Sequence, residues 1–343
     1  MEDLAAWLRR AVEHGASDLH LTVESPPVLR VNGELVDLEG PRLRPEDVRR
    51  LLEPVLDERS RAALEREGQV DFAYSLPGVG RFRVNVYRQR GSLAAALRLI
   101  PMHVPPLESL GLPASVDAFC ELAQGLVLVT GPTGHGKSTT LAAMVDRINH
   151  SRRAHVVTLE DPIEYLHRHD RSLVDQREIG LDAPSFAAGL RAALREDPDV
   201  IMVGEMRDLE TIAIALTAAE TGHLVLATLH TPSAPLAVDR IVDVFPAEQQ
   251  NQVRVQLAGV LEGIVAQRLV PSSDGRRRYP VAEVLVATHA VRNLIREGKT
   301  AQLASVMESS RQQGMVTLRE SAGRLLAGGL VTPEALVRAG VRP

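Results

Sequence analysis

Cysteine occurs once in 343 residues, at Cys120, which excludes a disulfide framework and a tetracysteine zinc site. Lysine is almost as scarce. Lys137 and Lys299 are the only two among 39 basic residues, so each is worth inspecting. An excess of positive charge is also lacking: 39 basic against 44 acidic residues give −5, and no global field argues for wholesale nucleic-acid binding. No apolar run approaches the roughly 18 residues that cross a bilayer, and Met1-Glu2-Asp3 carries acid where a secretory signal carries base. These absences point to a soluble chain in a reducing cytoplasm that meets a membrane only through a partner. Hydrophobic residues at 45% and charged residues at 24% exclude a disordered or collagen-like chain. The length suggests two domains at about 150 residues each.

Residues 1–100 read as a mixed α/β domain. Leu4, Trp7, Leu8 and Val12 recur at helical spacing, and Gly15 stops that helix. Leu19-His20-Leu21-Thr22-Val23 alternates, and Val28-Leu29-Arg30-Val31 runs into Asn32-Gly33, a turn whose two positions both need positive φ, so an antiparallel hairpin is expected. Residues 45–66 return to a helical period interrupted at Pro54, and 72–75 and 82–87 read as strands. Pro101, Pro105, Pro106 and Pro113 mark 101–113 as an interdomain linker. In 114–343, short apolar runs at 126–130, His155–Glu160, Val200–Val203 and 223–229 alternate with helical stretches, the pattern of a parallel sheet covered on both faces. The last sixty residues look helical, with Thr332-Pro333 opening the final segment.

Gly131-Pro132-Thr133-Gly134-His135-Gly136-Lys137-Ser138 fits the eight-position P-loop pattern, after a buried strand and before a helical run that continues through Thr139. The glycines let successive backbone N–H groups and the helix N-terminus face a phosphate, Lys137 offers a point charge to β/γ oxygens, and Ser138 ligates Mg²⁺. ATP and Mg²⁺ are therefore the expected cofactors. The run 200–205 is a second buried strand ending in an acid, Glu205, where a Walker-B carboxylate would serve the metal through water. Glu160-Asp161-Pro162-Ile163-Glu164 places three acids in five residues, either a source of the base for an attacking water or a turn capped by acids. His223 and His230 bracket another strand, as structural histidines or as phosphate contacts, without zinc-ligand spacing. Arg81, Arg83, Arg88, Arg90 and Arg98 have only Phe82 and Tyr87 interleaved, too few aromatics for a nucleic-acid platform. They form an exposed strand face or arginine fingers for another protomer's γ-phosphate.

Together these residues resemble the PilT branch of the secretion ATPase superfamily, hexameric motors that retract type IV pili, from Ala16-Ser17-Asp18-Leu19-His20-Leu21 to the C-terminal helices. The resemblance implies an N-terminal PAS-like α/β domain followed by a RecA-like P-loop motor domain. It places Asp161 to Glu164 in the family's Asp box, with Glu164 as general base and Glu160 nearby. It puts 199–205 in an atypical Walker B, with Glu205 serving the metal, and raises His223 and His230, in the His box, to nucleotide-site residues. Ala290-Val291-Arg292-Asn293-Leu294-Ile295-Arg296-Glu297 is similar to the C-terminal motif of retraction ATPases, and one cysteine cannot build the zinc module usual in extension and type II secretion relatives. Two departures stand out: His135, expected to put an imidazole close to the phosphates, and Pro232, where the family often has asparagine. The implied activity is a cytoplasmic Mg²⁺-dependent ATPase that retracts pili in twitching motility. It would work as a homohexamer, with Arg81, Arg83 and Arg98 completing a neighbour's site and an inner-membrane platform protein as partner. Arg292, Arg296 and Glu297 are expected on a polar helix side that relays motion or contacts that partner. The alternatives are an accessory retraction paralogue or related secretion motor, a nucleotide-binding scaffold without turnover, and a DNA translocase, which the acidic balance disfavours.

Overall fold

The computed structural model describes residues 3–101 and 103–341, so Met1 and Glu2 of the amino-terminal reading and Met102 of the linker reading lie outside the described residues. The chain divides into two compact units, Met1–Met102 and His103–Pro343.

The first unit holds α1 (Leu4–Glu13), β1 (Asp18–Leu21), β2 (Val28–Val31), β3 (Glu34–Asp37), α2 (Pro45–Leu52), α3 (Glu58–Glu67), β4 (Gln69–Leu76), β5 (Gly80–Gln89) and β6 (Ser92–Ile100). Its strands form one antiparallel sheet in the order β3-β2-β1-β6-β5-β4. Asn32 and Gly33 take φ of 50° and 90°, as the hairpin turn requires. Leu4, Trp7, Leu8 and Ala11 of α1 are buried in one core with Phe82, Val84 and Val86 of β5. The alternation along β5 then sends Arg81, Arg83, Asn85 and Tyr87 to the opposite face. β6 escapes a reading of the sequence because Ala94-Ala95-Ala96 has poor strand propensity. Its ladders to β1 and β5 override that preference.

The second unit contains α4 (Ser115–Cys120), β7 (Gly125–Thr130), α5 (Lys137–Ser151), β8 (His155–Glu160), β9 (Leu173–Glu178), α6 (Phe186–Ala193), β10 (Val200–Val203), α7 (Leu209–Glu220) and β11 (Leu224–Leu229). There follow α8 (Ala234–Asp243), α9 (Ala247–Val260), β12 (Leu261–Pro271), β13 (Arg278–Val286), α10 (His289–Arg296), α11 (Leu303–Ser309), α12 (Leu318–Ala327) and α13 (Pro333–Arg338). The sheet order is β13-β12-β7-β11-β10-β8-β9, parallel throughout except for β13. Alternate residues feed two cores. Leu126 and Leu128 of β7 pack with α7 and α9 on one face, while Val127 and Val129 pack with Leu141, Met144, Val145 and Ile148 of α5 on the other. Burial on both faces explains why these strands read as unbroken apolar runs.

One expectation needs correction. The proline-rich stretch 101–113 is not a free linker from His103 on, because Val104 and Leu107 are buried in the same core as α5. Proline excludes regular structure there without excluding packing. In this unit the strands β9, β12 and β13 were not legible, and β12 proves to carry much of the support for the P-loop.

Candidate nucleotide site

Because β7, β8, β10 and β11 run parallel, their last residues Thr130, Glu160, Val203 and Leu229 reach one edge of the sheet. The segments that follow them are the P-loop, the Glu160–Glu164 run, Gly204-Glu205 and His230. They line a cavity of about 420 Å³ together with Arg207, Thr228, Leu269 and Arg278. This is the crevice at the carboxyl ends of parallel strands where open α/β sheets bind ligands.

The loop itself is shaped by β12. Gly131 has φ 144°, and a Cβ there would lie 2.2 Å from the Gln267 carbonyl oxygen, so only glycine fits. Gln267 accepts from the Thr140 hydroxyl at 2.9 Å and donates its amide to the His135 carbonyl at 2.8 Å. Gly136, at φ 83°, caps α5, whose first residues Lys137, Ser138 and Thr139 line the cavity.

Lys137 is 8% exposed, and its Nζ donates to the carbonyls of Gly131 at 2.9 Å and Pro132 at 3.1 Å. Burial lowers its pKa against the opposing pull of Glu205. Lys137 Nζ also stands 3.4 Å from His230 Nδ1, and Thr133 Oγ1 stands 3.3 Å from the same nitrogen. An ammonium only donates, so Nδ1 accepts and His230 Nε2–H faces Glu205 Oε1, 2.9 Å away. The other Glu205 oxygen meets Arg207 at 2.6 Å. Burial works against the ionised form of Glu205, but Arg207 and His230 outweigh it and hold the carboxyl below its usual range.

Glu160 is 7% exposed, and burial raises its pKa, opposed by hydrogen bonds from Thr158, Gln176 and the Glu164 N–H. Glu164 itself is exposed at the cavity wall, with its backbone N–H on Glu160 Oε2 at 3.3 Å. Tyr165 OH and Thr139 Oγ1 are 3.0 Å apart, which ties this run to α5.

The structure thus brings together Gly131, Pro132, Thr133, Gly134, Gly136, Lys137, Ser138, Thr139, Glu160, Glu164, Glu205 and His230 at one sheet edge. Two predicted residues fall elsewhere. His135 turns its ring toward β12, where Nδ1 accepts from Leu269 N at 2.9 Å, and it lines a separate cavity with Ser272, Thr332 and Arg338. Burial and the charges of Arg268, Arg278 and Lys137 lower its pKa, and the neutral ring suits that acceptor role. The expectation of an imidazole near the phosphates is overturned. His223 precedes β11, at the amino end of a six-residue strand about 20 Å long whose other end leads to His230. Its Nδ1 contacts the Ala218 carbonyl at 2.9 Å, so within this chain it is a structural histidine.

Arg81, Arg83 and Arg98 belong to the first unit. Arg83 and Arg98 are cross-strand neighbours; Arg98 pairs with buried Asp18 at 2.8 Å and Arg83 meets Asp71 at 3.8 Å. Arg292 is also corrected. Rather than facing solvent, it donates to the carbonyls of Ala287, Ala258 and Gly259 at 2.9 Å each and to Glu262 at 2.8 Å. It clasps α10 to the α9–β12 junction, while Arg296 and Glu297 remain exposed. Sequence reasoning missed Arg207, Gln267, Leu269 and Arg278. Arg207 stood two residues from Glu205 and was findable, whereas the others sit on strands without a motif.

For Mg²⁺, Ser138 and Glu205 present oxygen donors to the same cavity. Among the described residues no group of three or more His, Cys, Asp or Glu could hold a metal alone. That donor set fits an ion that binds one or two protein oxygens and takes the remainder from phosphate and water.

A parallel sheet with this loop at its carboxyl edge defines a P-loop nucleotide-binding protein. The chain belongs to the type II/IV secretion system protein family, whose model matches residues 1–338. It is 46% identical to the type IV pilus retraction ATPase PilT of Pseudomonas aeruginosa over 97% of this chain and 96% of that protein. It is 51% identical to the uncharacterised YggR of Escherichia coli over 94% of this chain and 96% of that one. A crystal structure of the pilus retraction motor PilT with bound ADP superimposes with a TM-score of 0.91 at 50% identity, covering 99% of this chain and 97% of that one.

Proposed function

We propose that this protein is an ATP-hydrolysing motor that powers type IV pilus retraction, and hence twitching motility, as a ring of six copies. The observation that carries this reading is the convergence of Lys137, the His230–Glu205 pair and the Glu160–Glu164 run on one cavity, in a chain so similar to a retraction motor over its whole length.

The backbone N–H groups of the P-loop and Lys137 Nζ bind the phosphate oxygens, with the lysine shifting from the Gly131 and Pro132 carbonyls to do so. Ser138 and Glu205 hold Mg²⁺, which when bound neutralises charge on the phosphates. Glu164, exposed at the wall, takes the proton of the attacking water on its carboxylate. His230 donates from Nε2 to Glu205 and fixes that carboxylate's orientation. Arg81, Arg83 and Arg98 reach the γ-phosphate of a neighbouring copy, so closing the interface couples hydrolysis to domain movement. Among the described residues no helix is long and apolar enough to cross a membrane. On its likeness to a pilus retraction motor, we place the motor on the cytoplasmic side, acting on an inner-membrane platform protein.

The test is the Mg²⁺-ATP hydrolysis rate per protomer across a wide range of protein concentration, with Glu205→Ala as the blank. A rate that climbs with concentration supports a site completed in trans, and a rate equal to the blank overturns the motor in favour of a scaffold. Failure of the gene to restore retraction in a deletion strain, with its ATPase intact, replaces the principal reading with an accessory motor.

A further inference from the structure

The run that carries Glu164 leaves the end of β8 and is tied from the side by the edge strand β9, where one side chain makes three hydrogen bonds to Glu160 and to the loop. Gln176 is the cross-strand neighbour of Thr158. Its amide nitrogen donates to Glu160 Oε1 at 3.0 Å and to the Tyr165 carbonyl at 2.8 Å, and its amide oxygen accepts from the His167 N–H at 2.8 Å. Thr158 donates to the same Glu160 oxygen at 2.7 Å, which leaves Oε2 aimed at the Glu164 N–H. Two positions on, Glu178 Oε2 accepts from the Ile163 N–H at 3.4 Å. The loop carrying Glu164 therefore has no regular structure of its own, yet its backbone is pinned immediately before, at and after the residue.

We infer that Gln176 is a positioning residue for hydrolysis: its side-chain amide orients the Glu160 carboxylate and locks the 163–167 loop so that Glu164 presents its carboxylate to the attacking water. The inference rests on the proposed role of Glu164. Chemistry favours glutamine at this place, since one side chain must donate to a carboxylate and a carbonyl while accepting from an N–H, which neither Glu nor Lys does. Misplacing a proton acceptor by about 1 Å costs on the order of 100-fold in rate, whereas phosphate binding through Lys137 is untouched. Gln176 touches neither nucleotide nor water in this scheme and acts only through the loop.

The test is a double-mutant cycle on the intact protein under Mg²⁺-ATP, with residual rates read above a Lys137→Ala blank and nucleotide affinity read with a fluorescent ADP analogue. Gln176→Ala is expected to lower kcat about 10- to 100-fold with ADP affinity unchanged. Added to Glu164→Ala, it should cause no further loss. The isosteric Gln176→Glu keeps the His167 contact but loses both donors, and it should fall with Gln176→Ala. Wild-type kcat in either Gln176 variant, a parallel loss of ADP affinity, or a loss that multiplies in full with that of Glu164→Ala overturns the positioning role. A Glu164→Ala enzyme at wild-type rate is a different failure, because it removes the general base and the motor chemistry assigned to it.

Discussion

The two edges of the parallel sheet differ in what they do with similar residues. At the carboxyl edge, His230 joins Lys137, Thr133 and Glu205 in one network facing a cavity. At the amino edge, His223 folds back on the Ala218 carbonyl, and His155 pairs with Asp175 at 2.9 Å and contacts the Asp197 carbonyl at 3.2 Å. The amino edge also carries the Arg292–Glu262 clasp. Histidine, carboxylate and arginine occur at both, so residue type alone does not mark the site. The strand direction does, because the P-loop, with its inward N–H groups, exists only where β7 ends.

The comparison yields predictions of decreasing size. Lys137→Ala should reduce hydrolysis by about 100-fold or more and weaken nucleotide binding, measured by steady-state ATPase and ADP titration. His230→Gln should lower kcat by about 10- to 100-fold, the worth of a hydrogen bond to a charged group, with nucleotide affinity kept. At the other edge, Arg292→Ala should cost about 2 kcal/mol and lower the Tm by several degrees, with loss of ATPase and retraction in step, since three backbone carbonyls lose their donor. A folded Arg292→Ala protein with full ATPase but no retraction would return the residue to a partner-facing role.

His155 supplies the pH-dependent case. Burial lowers its pKa, but Asp175 and the Asp197 carbonyl outweigh that and raise it above the usual value. Its contribution is therefore complete below about pH 6.5 and is lost as pH rises through the folded-state value. Thermal melts of His155→Gln should converge with wild type toward pH 9 and differ, by less than about 1 kcal/mol, at pH 5.5. The smallest effect is expected for His223→Gln, with kcat within about twofold of wild type. If it falls as far as His230→Gln, strand polarity is not what separates the edges.

Much of the second unit was legible because its signals are contiguous. Strands buried on both faces appear as apolar runs, α5 shows Leu141, Met144, Val145 and Ile148 at helical spacing, and the P-loop is eight consecutive residues. The first unit yielded its hairpin through Asn32-Gly33 for the same reason. β12 was not legible, since Gln267 and Arg268 interrupt its apolar pattern and follow no turn signal. β9, at the sheet edge, is mostly polar, and only Val174 and Glu178 of it are buried.

The sequence by itself determined the nucleotide loop, the strand ends that carry Glu160, Glu205 and His230, and the alternation that builds the parallel sheet. Each depends on residues a few positions apart, with local backbone preferences and a fixed side-chain period. Tertiary structure alone decided that His135 faces β12 rather than the cavity and that Arg292 is a clasp. It likewise decided that Gln176 and Gln267 hold the two loops of the site. Those outcomes join residues from separate strands and helices, and a hydrogen bond between distant residues leaves no spacing in the chain to read.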